Sequence, residues 1–149
     1  MSIAILDTSV FCNLLGVSGK DQHVREARAA LGHYVRDGVQ LLLPLAAVYE
    51  TGNHIAQATG DRYGVAGEFA DWVRRAFEGD APFTPARLHD LDEILLWLDD
   101  FPDRAASGVG IGDLSILRLW EQQRMLNPAR RVFIWSYDSD LTGYDTGAG

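Results

Sequence analysis

Three short apolar runs, Ile3 to Leu6, Val39 to Leu43 and Val132 to Tyr137, are separated by long stretches whose apolar residues recur at helical spacing. Runs this short and continuous fit strands covered on both faces. Their alternation with helical patterns predicts an α/β fold, a parallel sheet flanked by helices. The first and last runs each end at an acid, Asp7 and Asp138. In open α/β sheets the carboxyl ends of the strands border the crevice where ligands bind, so two acids far apart in the chain are expected to meet there.

At 149 residues the chain fits one domain with its own core. No repeat or linker divides it; residues 1–141 are expected to form the domain and 142–149, short of packing groups, a mobile tail. No apolar run approaches the roughly 18 residues of a membrane span. The start, Met1 to Asp7, lacks the basic segment of a secretory signal, so a cytoplasmic protein is expected. Cys12 is the only cysteine, which excludes an internal disulfide, and no His and Cys cluster has zinc spacing. A buried, small hydrophobe is the expected role of Cys12.

Between the strands, Thr8 or Ser9 is suited to cap a first helix through Leu15, and the stretch from Gly16 to Lys20 breaks it. Asp21 opens a second helix with Val24, Ala27, Leu31, Tyr34 and Val35 on its apolar side. Pro44 suits the first turn of a third helix. That helix carries a core stripe, Leu45, Val48, Tyr49, Gly52 and Ile55, and a second stripe that begins small and turns polar: Ala46, Ala47, Glu50, Asn53, His54 and Gln57. Further helices are expected from about Asp61 to Phe77, from Asp90 with Leu91, Ile94, Leu95 and Leu98 facing the core, and from Asp113 to about Leu126.

Four acids therefore stand at places a ligand crevice would use: Asp7 and Asp138 at strand ends, Glu50 on a helix after a strand, Asp113 at a helix start behind glycines. Each alone has an ordinary role as a cap, a turn residue or a solvated side chain. Together they cannot all ionise in a small cleft without a cation, because like charges raise each other's pKa. A hard divalent metal meets that need. The net charge of −8, with Lys20 the only lysine, argues against broad electrostatic attraction of nucleic acid.

Four segments carry a resemblance: Leu6-Asp7-Thr8-Ser9-Val10, Pro44 through Glu50, Gly112-Asp113-Leu114-Ser115-Ile116, and Ser136-Tyr137-Asp138-Ser139-Asp140-Leu141. In order and spacing they resemble the PIN-domain ribonucleases, above all the VapC-type toxins of toxin–antitoxin pairs, over nearly the whole chain. The resemblance implies a PIN-like three-layer sandwich with a central, mostly parallel sheet of four or five strands. It further implies Mg²⁺ or Mn²⁺ held by acids and a metal-activated water that attacks an RNA phosphodiester. On this reading Asp7, Glu50, Asp113 and Asp138 are catalytic and metal-holding, with Asp140 a further ligand. Thr8, Ser9, Asn53 and Ser136 would face the substrate. The implied partners are RNA, a cognate antitoxin and a second copy of the chain, with no membrane. A basic antitoxin segment would suit the acidic stretch Asp90, Asp92, Glu93, Asp99, Asp100 and Asp103. Two other readings stand beside it: a non-catalytic RNA- or protein-binding module on the same fold, and a phosphatase of the haloacid dehalogenase type. The latter wants a second aspartate two residues after Asp7, where this chain has Ser9.

Overall fold

The computed structural model describes residues 1–87 and 89–147. Its elements run β1 (Ile3–Leu6), α1 (Thr8–Leu15), α2 (Val24–Arg36), β2 (Gln40–Leu43), α3 (Leu45–Gln57), α4 (Arg62–Phe77), β3 (Phe83–Pro85), α5 (Leu91–Ala106), α6 (Ile111–Leu126) and β4 (Val132–Trp135). The four strands form one all-parallel sheet in the order β3-β2-β1-β4. The fold is thus the layered α/β architecture expected, with four strands rather than five.

Pleating sends alternate strand residues to opposite faces, and each face has its own core. Ala4, Leu6, Leu41, Leu43, Phe133 and Trp135 pack with α1, α2, α3 and α4, where Val10, Phe11, Ala47 and Ile55 are buried. Ile3, Ile5, Leu42 and Ile134 pack instead against Ile116, Leu117 and Leu119 of α6. The chain leaves β1 toward β2 and β3 on one side and returns to β4 on the other. The strand order therefore reverses between β1 and β4, and crevices open at such a reversal.

Several boundaries depart from the expected ones. Asp7, not Thr8 or Ser9, caps α1 by accepting the Ser9 N–H at 3.3 Å. The second helix begins at Val24 rather than Asp21, and α6 begins at Ile111, two residues before Asp113. β4 stops at Trp135, and β3 escapes the hydrophobic pattern because it has three residues and ends in Pro85. Two apolar stripes differ from the expected core: on α3 Ile55 is buried and Val48 packs against the core, but Tyr49 does not. Tyr49 is exposed, the buried side of α3 being Ala47, Thr51 and Ile55. On α5 the expected core residues Leu91, Ile94, Leu95 and Leu98 are all exposed, as is Leu96, and only Trp97 is buried. A helix lying on the outside of α6 has no sheet face to reach.

Part of the terminal segment is hydrogen-bonded to β4. Ile134 N–H donates to Tyr144 O at 2.9 Å, Thr146 N–H donates to Val132 O at 3.0 Å, and Asp145 bridges Phe133 antiparallel. Arg131 pairs with Asp145 at 2.8 Å, and Tyr144 meets Trp120 edge-on. The segment from Tyr144 to Thr146 thereby covers the open edge of β4, whose unpaired backbone groups need partners. Ala148 and Gly149 lie outside the described residues. No helix among the described residues is long and apolar enough to cross a membrane.

Candidate functional site

The register of the sheet builds the site. Leu6 pairs with Trp135, so the next residues of the two strands, Asp7 and Ser136, emerge side by side. Asp7 is 3% exposed, and its Oδ2 accepts three hydrogen bonds: from Ser136 Oγ at 2.8 Å, Ser9 Oγ at 2.7 Å and Ser9 N–H at 3.3 Å. Neither hydroxyl is free to turn away. Ser136 Oγ accepts the Asp138 N–H at 2.9 Å, and Ser9 Oγ accepts the Tyr137 N–H at 2.9 Å. Each serine proton is thus spent on Asp7, and the carboxylate is fixed through one oxygen. Its Oδ1 takes no hydrogen bond among the described residues and remains available.

Glu50 approaches from α3. Its Oε2 accepts the Thr8 hydroxyl at 3.0 Å, and its Oε1 lies against α6 at Gly112. A Cβ on Gly112 would collide with that oxygen, so the glycine inside α6 is what lets a carboxylate pass. One residue on, Asp113 stands in the first turn of α6. Its pKa is raised to about 6, first by burial and then by Asp7, Glu50, Asp138 and Asp140. Asp138 completes the set. Its Oδ1 accepts the Asp140 N–H at 3.0 Å, which closes a tight turn and leaves Asp140 exposed.

These groups line a cleft of about 220 Å³ bounded by Asp7, Thr8, Ser9, Cys12, Lys20, Glu50, His54, Asp113 and Asp138. The four acids expected to converge do so. Asp140 touches the field of the cleft without lining it. Asn53 is exposed and does not line it; His54, one residue on and four from Glu50, does. A step of four residues returns closer to the starting helical face than a step of three. Of Thr8, Ser9 and Ser136, expected toward the substrate, Thr8 and Ser9 line the cleft, and the hydroxyls of all three hold Glu50 or Asp7. Cys12 is buried as expected, its thiol pushed up to about 11 by that burial, and it forms part of the floor. Lys20 carried no sequence signal for the site, because a loop lysine shows no periodicity.

Among the described residues none of the four acids is ion-paired with a basic side chain. Nor do three His, Cys, Asp or Glu groups among them stand close enough to hold an ion as placed. The fit to a hard cation accordingly lies in the donor set: carboxylate oxygens only, one of them on Asp7 held without a partner. No protein-family model matches this chain, and no curated protein or solved structure matches it either.

Proposed function

We propose that this protein is a divalent-metal-dependent endoribonuclease that hydrolyses RNA phosphodiester bonds, the toxin of a toxin–antitoxin pair. The observation that carries the reading is that Asp7, Glu50, Asp113 and Asp138 line one cleft at the β1/β4 reversal, and among the described residues none of them is ion-paired within 4.0 Å. A structural acid cluster of this size normally meets arginine or lysine. Here four carboxylates face one unpaired lysine, Lys20, so most of the charge is left for a cation to offset, and Mg²⁺ or Mn²⁺ is the class of ion that carboxylates take.

Asp7, Asp113, Glu50 and Asp138 would hold the ion, and Asp140 stands close enough to add to the field. When bound, the metal supplies a water of lowered pKa and offsets charge on the phosphate oxygens. The chain's own part is positioning. Ser9 and Ser136 fix the Asp7 carboxylate, Thr8 fixes Glu50, and burial raises the pKa of Asp113 to about 6, a shift that a nearby cation would oppose. The missing acid at Ser9 disfavours phosphatase chemistry, since that serine already donates its proton to Asp7.

The protein–partner side of the proposal is supported by the exposed leucines of α5. An apolar groove of about 490 Å³, bordered by Leu45, Val48, Tyr49, Phe77 and Pro85, lies on another flank. Apolar faces of this kind are where partners dock. We assign them to a second copy of the chain and an antitoxin. They equally favour the second reading, a binding module without catalysis.

Incubation of the purified protein with single-stranded RNA, in Mg²⁺, in Mn²⁺ and in chelator, separates the two. The ribonuclease reading expects metal-dependent cleavage that Asp7→Asn and Asp113→Asn abolish. Binding of RNA or partner that survives both substitutions, without cleavage by the unaltered protein, would establish the module instead.

A further inference from the structure

The cleft lined by four acids contains one lysine, and it is the only lysine of the chain. We infer that Lys20 is the substrate-phosphate contact of this site, the residue that draws a backbone phosphate of single-stranded RNA into a cleft the rest of the surface repels. The inference rests on the ribonuclease reading and gives it the positive group it lacks.

The loop that carries Lys20 is built to a single shape. Gly16 and Gly19 adopt φ of +66° and +85°, which only glycine takes without strain. Val17 is buried, with its N–H on Cys12 O at 2.9 Å, and Lys20 N–H closes a turn on Val17 O at 2.8 Å. The Ser18 and Thr59 hydroxyls meet at 2.9 Å. Beyond Lys20, the buried Asn13 clamps the chain: its Oδ1 accepts the His23 N–H at 2.7 Å while its Nδ2 donates to Ser9 O at 2.8 Å. His23 in turn stacks on Tyr137 with ring centres 4.7 Å apart. The loop is thus tied on both sides of Lys20 to the segments that carry Asp7 and Asp138.

The side chain itself is left out of this scaffold. Lys20 is exposed at the cleft, and among the described residues its ammonium makes neither a hydrogen bond nor an ion pair within 4.0 Å, although acids surround the cleft. A structural lysine would be paired, and a merely solvated one would not require a loop anchored at four points. A flexible point charge with three donors is suited to a phosphate. On a chain of net charge −8 it also gives RNA a local reason to enter.

Three full-length variants, Lys20→Met, Lys20→Arg and Arg36→Met as a charge control on the far end of α2, test the inference. Binding of a fluorescent single-stranded RNA is followed by anisotropy in Ca²⁺ at several salt concentrations, cleavage in Mg²⁺, and metal binding by calorimetry. Lys20→Met is expected to raise the RNA Kd and KM about tenfold, as for loss of a charge-assisted bond, and Lys20→Arg to restore most of it. The slope of log affinity against log salt is expected to fall by about 0.7, one single-strand phosphate contact. Metal affinity should not fall, since removal of a neighbouring positive charge favours a cation. Lys20→Met binding and cleaving like wild type, or losing no more than Arg36→Met, overturns the assignment while the ribonuclease reading stands. A wild type that neither binds nor cleaves RNA with metal overturns that reading, and this inference with it.

Discussion

The molecule has two acid-rich regions, and they are held in opposite ways. On α5 and the turn before it, Asp90 caps the helix by accepting the Glu93 N–H at 2.9 Å, Glu93 is paired with Arg87 and His89, and Asp100 is paired with Arg118. The Glu93 carboxyl is held below its ordinary range by the Arg87 hydrogen bond first and His89 next. In the cleft the acids have hydroxyls, backbone N–H groups and each other, and Asp113 is pushed the other way, to about 6. The α5 acids lie close together in the sequence, whereas the cleft acids are scattered from position 7 to position 138 and meet only in the fold. The two regions therefore differ not in the number of carboxylates but in whether those carboxylates are ion-paired.

Substitution tests that contrast most sharply. Asp7→Asn or Asp113→Asn should reduce RNA cleavage by well over a hundredfold, the upper end for groups merely adjacent to a metal, while Asp92→Asn on α5 leaves the rate unchanged. Equal effects in both regions, measured as kcat/KM, would erase the distinction. Ser136→Ala removes a hydroxyl that holds Asp7 and receives the Asp138 N–H, and it should weaken Mn²⁺ affinity by about 10- to 100-fold in calorimetry.

Gly112→Ala probes the close approach of α3 to α6. The added methyl must displace the end of the Glu50 side chain, so cleavage should drop several-fold. Thermal stability should hold or rise, because alanine is favoured over glycine in a helix by about 1 kcal/mol. A large loss of Tm would mean that the backbones, not Glu50, yield.

The pH dependence follows from the raised pKa of Asp113. An acid easier to protonate when folded stabilises the metal-free protein below its ordinary pKa, and that contribution is lost as pH rises through about 6. Metal-free Tm should therefore decline across that window, and the decline should be shallower in Asp113→Asn. Divalent ion should reverse it, since a ligand at about a hundred times its Kd adds roughly 2.7 kcal/mol. A Tm that stays flat in wild type, or unresponsive to Mg²⁺, would place Asp113 outside any metal site. The smallest effect is expected on α5. Leu95→Glu should leave Tm within about a degree, since the residue is exposed. With α5 taken as the face for the proposed second copy, light scattering should show a smaller species for Leu95→Glu than for wild type; equal masses would remove α5 from that role.

Much of this is legible in the sequence. The strand runs ending at Asp7 and near Asp138, the Pro44 start of α3 and the four acids all follow from local pattern. The stripe on α5 misled for a physical reason: helical periodicity reports that a face is apolar, not that the protein itself covers it. Phe83–Pro85 was silent because three residues ending in proline carry no period, and Asn53 was favoured over His54 because a polar stripe several residues wide cannot be aimed from spacing alone.

The sequence by itself determined the fold class and which acids are carried by the segments that leave β1 and follow β4, since these depend on burial pattern and side-chain identity. Only the tertiary structure decided which atoms meet. The parallel register sets Ser136 against Asp7, Gly112 admits Glu50 to α6, the terminal segment seals β4, and a loop far from any motif brings Lys20 to the cleft. Those are long-range contacts, fixed by how the layers pack, and no local pattern encodes them.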